Sequence, residues 1–97
     1  MFRHVVLFTW TGEATAEQKD TVAAELGRLP EVIEGIRAYA FGADAGVNPG
    51  NHDAALVADF DSLDDYLVYR DHPMHQAVIA KHIKPILASR AAVQFAC

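Results

Sequence analysis

The sequence predicts one α+β domain, residues 1–97, in which strands and helices follow the order β-α-β-β-α-β. The chain has 97 residues and is 52% hydrophobic, which is enough for one two-layer core and too little for two. Several stretches are rich in β-branched and aromatic residues, as strands are. Between them lie stretches in which a capping residue precedes apolar positions three and four residues apart, as in amphipathic helices.

The first strand is predicted over Arg3 to Thr11. Because strand side chains alternate, its two faces carry His4, Val6, Phe8 and Trp10 on one side and Val5, Leu7 and Thr9 on the other. Both faces are largely apolar, so we expect each to be covered. His4 breaks the apolar pattern of its face, as site residues often do. A histidine near the sheet edge that reaches water is the equally open alternative.

The first helix begins at a capping box formed by Thr15 and Gln18. Its apolar stripe consists of Val22, Leu26, Leu29 and Ile33. Because a proline disfavours helical backbone just before it, Pro30 predicts that the regular helix ends near Arg28 or Leu29.

Two further strands are predicted over Gly35 to Ala43 and Asp53 to Phe60. A loop rich in Gly, Asn and Pro joins them. Its glycines lack phosphate-loop spacing and do not lead from a strand into a helix, so the sequence does not predict a phosphate site here.

The second helical region is predicted in two pieces. Ser62 caps a helix from Leu63 to about Tyr69, and Pro73 opens another that Pro85 stops. The stripe of the later helix is His75, Val78, Ile79, His82 and Ile83. The last strand is predicted over Ala91 to Phe95. This order of elements is the ferredoxin-like arrangement, a four-stranded antiparallel sheet with both helices on one face.

Helices on one face leave the other face of the sheet uncovered, although its first and third strands are apolar on both sides. The simplest cover is the same face of a second copy, since homo-oligomers are usually two-fold symmetric. We therefore expect a homodimer through the sheet face, in which the two sheets form a barrel.

Composition excludes several classes of partner. The formal net charge is -5 and the eight basic residues are scattered, so we expect neither nucleic acid nor an anionic membrane as a partner. No apolar run is long enough to span a membrane, and no signal-peptide core follows Met1. The only cysteine, Cys97, can form no internal disulfide and fits a reducing cytoplasm, so we expect a cytoplasmic protein.

The ten residues from Tyr66 to His75 hold two tyrosines and two histidines. These side chains suit proton transfer near neutral pH and polar contacts with a ligand. A histidine with a pKa of ~6.5 can remove a proton next to a carbonyl, and a tyrosine hydroxyl in an apolar cavity can bind the resulting oxyanion.

The chain resembles the stress-responsive A/B barrel proteins, or Dabb domains, a branch of the dimeric α+β barrel superfamily. The resemblance covers nearly the whole chain and rests on four segments: Arg3 to Phe8, Leu56 to Ser62, Tyr66-Leu67 followed by Tyr69, and His72-Pro73-Met74-His75. The family is functionally mixed: it includes plant stress proteins without established catalysis and a plant polyketide cyclase that closes an aromatic ring by aldol condensation.

The resemblance to the cyclase implies that Tyr69 and His75 occupy its catalytic positions and that His4 lines the cavity. The cyclase has a further histidine at the start of the third strand, where this chain has Ala54 or a neighbour, and His52 does not fall on that position. We expect His4, Val6, Phe8 and His72 to contact the ligand. For His72, a role in shaping the turn through backbone contacts is the alternative interpretation.

Two functions stay open. The first is a binding protein for a small, mostly apolar ligand, with structural histidines and an unknown physiological role. The alternative is a polyketide-cyclase-like enzyme, of lyase type and without cofactor, using the pair of Tyr69 and His75. No carboxylate or cysteine completes a metal set around His72, His75 and His82, so we expect neither metal nor cofactor. The residue set of related haem-degrading barrels cannot be placed in this sequence.

Overall fold

The computed structural model describes all residues, 1–97. The chain forms the following elements: β1 (Phe2–Trp10), α1 (Ala16–Val32), β2 (Ile36–Ala43), β3 (Ala54–Phe60), α2 (Leu63–Asp71), α3 (Pro73–Val78), a π-helical turn (Ile79–Ile83), a 3-10 turn (Lys84–Ile86) and β4 (Leu87–Ala96). The predicted order of strands and helices is confirmed. No helix is long and apolar enough to cross a membrane.

The four strands form one antiparallel sheet in the order β2-β3-β1-β4. This is the ferredoxin-like α+β fold. β1 lies between β3 and β4, and the register places Ala58 and Gln94 on either side of His4. Since directly paired residues share a face, the Gln94 side chain stands beside His4.

Burial alternates along β1 and separates the two faces of the sheet. The buried face carries His4, Val6, Phe8 and Trp10, and it packs against Val22, Leu26 and Leu29 of α1 within one apolar core. The opposite face stays at the surface, where Val93 and Phe95 of β4 are 53% and 43% exposed. One apolar sheet face is therefore filled by helices and the other is not.

The capping box at the start of α1 is confirmed. The Gln18 backbone N–H donates to the Thr15 hydroxyl over 3.1 Å, and the Thr15 N–H donates to the Gln18 side-chain oxygen over 2.9 Å. The predicted end near Arg28 or Leu29 is wrong, because α1 continues through Pro30 to Val32. Pro30 lies in the last turn, where it removes one helical hydrogen bond. The bond at the end of the helix, from Ile33 N–H to the Leu29 carbonyl, still forms at 2.9 Å and accompanies the burial of both side chains.

The last two predicted elements also have different bounds. The α-helix that begins at Pro73 ends at Val78 rather than at Pro85, and the chain continues through the π-helical and 3-10 turns. Pro85 has no N–H for a helical bond, and it lies in the 3-10 turn, after the α-helix has ended. The last strand begins at Leu87, four residues earlier than predicted, because β4 pairs along the whole length of β1.

Candidate functional site

A cavity of about 320 Å³ lies between the buried face of the sheet and the helical layer. Its apolar floor is built by side chains from the sheet, α1 and the π-helical turn: Val6, Phe8, Leu26, Leu56, Ile79 and Ile83. Its polar wall includes His4, Tyr66, His75 and Gln76. A mostly apolar lining with a few polar groups is typical of small-molecule sites, and this volume is at the small end of their range.

His4 reaches the cavity from the middle of the buried face and is 4% exposed. The Gln94 side-chain amide donates to His4 Nδ1 over 3.0 Å. Because an amide nitrogen can only donate, Nδ1 accepts and the ring proton is on Nε2. Burial lowers the pKa of His4 to about 4, and the nearby His75 and Arg90 act in the same direction. His4 is therefore a neutral hydrogen-bond donor at neutral pH.

His75 lies in the first turn of α3, where Pro73 occupies the initial position of the helix. Its Nδ1 lies 3.0 Å from the Arg70 carbonyl oxygen, which can only accept, so Nδ1 is the protonated nitrogen. Burial lowers the pKa of His75, and its contacts with the Arg70 and Tyr69 carbonyls oppose that shift. His75 is thus a mainly neutral imidazole whose free nitrogen, Nε2, is an acceptor.

The two histidines present complementary atoms to one cavity. Nε2 of His4 and Nε2 of His75 make no hydrogen bond within the protein, yet no fully buried side-chain nitrogen or oxygen lacks a partner. Both atoms are therefore accessible, and both residues line this cavity. A bound molecule would meet one N–H donor and one basic nitrogen.

Tyr69 is not part of the cavity wall. Its side chain is 0% exposed, and its hydroxyl lies 2.8 Å from the hydroxyl of Tyr39. Its ring packs against His75 with the centroids 4.1 Å apart, so it supports the imidazole from behind. Burial raises the pKa of the Tyr69 phenol well above its usual value. Tyr69 and His75 are therefore in contact, but only His75 lines the cavity.

Tyr66, which is not among the predicted site residues, lines the cavity instead. Its ring lies 4.8 Å from that of His4, and burial raises the pKa of its phenol. Tyr66 and Arg70 are four residues apart, so they share one side of α2, and both line the cavity. The spacing predicts that the two residues share a face, but it does not predict that this face meets the cavity.

Of the remaining predicted site residues, some line the cavity and one does not. Val6 and Phe8 line the cavity floor. His72 does not line it; it caps α3, and its Nδ1 accepts a hydrogen bond from the Met74 backbone N–H over 3.1 Å. The turn-shaping interpretation therefore describes His72. No group of three or more His, Cys, Asp or Glu side chains is arranged to hold a metal ion.

A second, larger groove of about 690 Å³ lies on the opposite face of the sheet, beside the loop between β2 and β3. Leu7 and Val57 line it, together with His52, whose Nδ1 is 2.8 Å from the Thr9 hydroxyl. It is more open to solvent than the cavity between sheet and helices, and it contains none of the predicted site residues. We therefore take the smaller cavity as the candidate site.

Comparisons with known proteins agree with this architecture. Residues 2–97 match the model of the family described as the Stress Responsive A/B Barrel Domain, or Dabb. A dimeric ferredoxin-like protein of unknown function from Thermobifida fusca is 47% identical, with a TM-score of 0.91 over 99% of this chain and 90% of that one. A dimeric ferredoxin-like protein of unknown function from Bacteroides fragilis is 33% identical, with a TM-score of 0.81 over 99% and 95%.

A hydroxynitrile lyase from Passiflora edulis has a TM-score of 0.84 over 97% of this chain and 90% of that one. At 20% identity this likeness concerns the fold alone. No curated protein matches the chain significantly.

Proposed function

The chain belongs to the Stress Responsive A/B Barrel (Dabb) domain family, and we propose that it binds a small, mostly apolar ligand in the cavity between sheet and helices. The cavity itself carries this proposal, because its lining combines an apolar floor with two histidines that each have one unpaired ring nitrogen. Its volume of about 320 Å³ corresponds to roughly ten water molecules of bulk liquid at ~30 Å³ each. Apolar surface released from water would drive the binding.

The ligand contacts we propose are His4, Val6 and Phe8 from β1, with His75 and Tyr66 from the helical layer. The apolar floor would hold the body of the ligand. His4 would donate a hydrogen bond and His75 would accept one, which fixes the orientation of a ligand with one polar end.

Calorimetric titration with octanamide and phenylacetamide tests this proposal, since both are neutral molecules with one polar end. We expect binding to the unaltered protein and at least about tenfold weaker binding to Ile79→Trp, whose larger side chain occupies the cavity. Val68→Trp, on the exposed side of α2, is the matched control and should bind both amides normally. Equal affinities in the two variants would place the amides elsewhere and reject the proposal.

A homodimer through the open sheet face is the second part of the proposal. Val5 and Leu7 of β1, Val57 of β3 and Val93 and Phe95 of β4 give that face an apolar surface. The relatives that are 47% and 33% identical are both described as dimeric. A second copy packed on this face would remove those side chains from water and join the two sheets as a barrel.

The complementary histidines also support a second candidate, a cofactor-independent catalyst of aldol-type ring closure. His75 Nε2 would take a proton from the carbon next to a carbonyl, and His4 Nε2–H would donate a hydrogen bond to the enolate oxygen. The enolate carbon would then bond to a second carbonyl carbon, and the proton held by His75 would pass to the new alkoxide. In this mechanism His4, with Tyr66 beside it, takes the oxyanion-donor role that a tyrosine hydroxyl was expected to supply.

Exchange of the methyl protons of acetophenone with D2O, followed by NMR, isolates the first step. The proposal predicts that exchange is faster with the protein than with buffer, and that His75→Gln lowers the rate by about 10²-fold or more. His82→Gln removes a histidine outside the cavity and should leave the rate unchanged. If His75→Gln exchanges protons as fast as the unaltered protein, the catalytic candidate is wrong and the binding function stands alone.

A further inference from the structure

Basic side chains gather around the candidate cavity. Arg70, Lys84 and Arg90 belong to its lining, which is three of the chain's eight basic residues. None of the thirteen acidic residues belongs to it. The lining of the cavity is therefore positive, whereas the chain as a whole has a formal net charge of -5.

Two of these three cations have no carboxylate partner. Arg70 is paired with Asp71, whose two oxygens lie 2.9 and 3.1 Å from the guanidinium nitrogens. Lys84 and Arg90 take part in none of the ion pairs of the molecule. Their charges are therefore available to a ligand.

Arg90 is directed to the site by the strand register. It stands opposite Phe8 in the pairing of β1 with β4, on the helix-covered side of the sheet, and Phe8 is part of the cavity floor. Its positive charge also reaches both histidines, because it contributes to lowering the pKa of His4 and of His75. A cation, a donor and an acceptor thus surround one apolar floor.

The other grooves of the molecule differ from this one. The groove beside the β2–β3 loop includes Asp44, and a third, at the start of α1, includes Glu17. A fourth, beside Trp10, includes Asp20 and Asp53. Each of these three grooves therefore contains a carboxylate, whereas the candidate cavity has a positive lining without one.

We propose that the ligand of this cavity is a small organic acid, with an apolar body on the floor and a carboxylate directed to Arg90 and Lys84. This inference rests on the proposed binding function and adds the charge of the ligand to it. An ionised oxygen makes shorter and stronger hydrogen bonds with cationic donors than a neutral oxygen does. The apolar floor would discriminate against small inorganic anions, which gain nothing from it.

Acid and amide pairs of the same shape test the charge alone. Octanoate is compared with octanamide, and phenylacetate with phenylacetamide, by calorimetric titration at about pH 8, where both histidines are neutral. We expect at least one acid to bind about tenfold more tightly than its amide. We also expect added salt to weaken the binding of the acid but not the binding of the amide. Comparison of the two pairs shows whether the cavity prefers a ligand with an aliphatic body or one with an aromatic body.

Charge-removing variants identify the cations responsible. Arg90→Gln and Lys84→Gln should each weaken the binding of the acid by about threefold to fivefold. The double variant should weaken it by about tenfold or more, and the binding of the amide should be unchanged. Lys81→Gln removes a lysine from the adjacent π-helical turn, outside the cavity, and it should change neither affinity. Because Arg90 and Lys84 are exposed, these substitutions leave the core intact.

The outcomes separate this inference from the function on which it rests. If acid and amide bind equally tightly, or if the variants weaken the binding of both alike, the ligand is not an acid. The proposed binding function then still stands. If no member of either pair binds the unaltered protein, both are overturned. Tighter binding of an acid that disappears in the double variant supports both.

Discussion

The hydroxyl of Tyr69 lies 2.8 Å from the hydroxyl of Tyr39, and this contact holds Tyr69 in the core rather than in the candidate cavity. Burial raises the pKa of Tyr39 to about 12 and raises that of Tyr69 as well, so both phenols stay protonated. The pair therefore satisfies two buried hydroxyls with one hydrogen bond. Tyr69 contributes to the site indirectly, by supporting the ring of His75.

Tyr69→Phe should destabilise the protein without affecting the site. The substitution leaves the Tyr39 hydroxyl without its partner in a buried position, so we expect the free energy of unfolding to fall by about 1–2 kcal/mol. Urea unfolding measures this loss, and titration with octanamide should give an unchanged affinity. Tyr66→Phe is the matched comparison, because it removes a hydroxyl from the cavity wall. A catalysed exchange rate that falls with Tyr69→Phe at unchanged stability would restore Tyr69 as a catalytic residue.

Gln94→Glu should raise the pKa of His4. In the protein the Gln94 amide donates to Nδ1, whereas a carboxylate there would accept from Nδ1–H and stabilise the charged imidazole. NMR titration should find the His4 pKa near 4 in the unaltered protein and clearly higher in Gln94→Glu. Gln18→Glu makes the same change within the capping box of α1 and should leave His4 unaffected. An unchanged His4 pKa in Gln94→Glu would mean that the two side chains do not interact in solution.

Stability should decrease as the pH falls from about 6.5 to about 4. Burial depresses the pKa values of His4 and His75 in the folded state, so the unfolded chain binds more protons in this window. The stability that these groups contribute is fully present above the unfolded pKa of ~6.5 and is lost as the pH falls towards the folded values. For His4 alone the loss is at most about 3 kcal/mol.

Urea unfolding at several pH values checks this dependence. His4→Gln should make the stability flatter between the two limits, because the residue that must take up a proton is gone. His82→Gln, which replaces a half-buried histidine outside the cavity, should keep the slope of the unaltered protein. A slope that survives in His4→Gln and in His75→Gln would assign the acid sensitivity to other groups.

Val93→Asp should convert the proposed dimer into monomers. Val93 is 53% exposed on the open sheet face, and in the dimer its replacement would bury an unpaired carboxylate. Light scattering coupled to gel filtration should find half the mass of the unaltered protein. Val68→Asp, at a site 57% exposed on α2, has nearly the same exposure and should not change the mass. If Val93→Asp keeps the mass of the unaltered protein, the sheet face is not the interface.

Most of the fold follows from local patterns in the sequence. The capping box at Thr15 and the alternation along β1 depend on neighbouring residues only, and both are present in the structure. The bounds that were wrong depend on distant partners. The burial of Leu29 and Ile33 carries α1 past Pro30, and pairing with β1 extends β4 back to Leu87. The local conformational preferences of the residues predict neither of these effects, because both depend on tertiary contacts.

The candidate site was only partly predictable for the same reason. His4 was visible as a polar break on an apolar strand face, and the resemblance to the family pointed to His75. The choice between Tyr66 and Tyr69 was not visible, because they are three residues apart on one helix and only its packing decides which of them meets the cavity.

By itself the sequence determined the order of strands and helices and the family, and it pointed to the two histidines of the candidate site. Tertiary structure alone decided what those histidines can do. The proton of His4 is placed by Gln94, 90 residues away, and the proton of His75 by the carbonyl at the end of the preceding helix. The charge of the cavity likewise comes from Arg90, which strand pairing brings beside Phe8. Gln94 and Arg90 lie far from β1 along the chain, so only the folded arrangement brings them to one cavity.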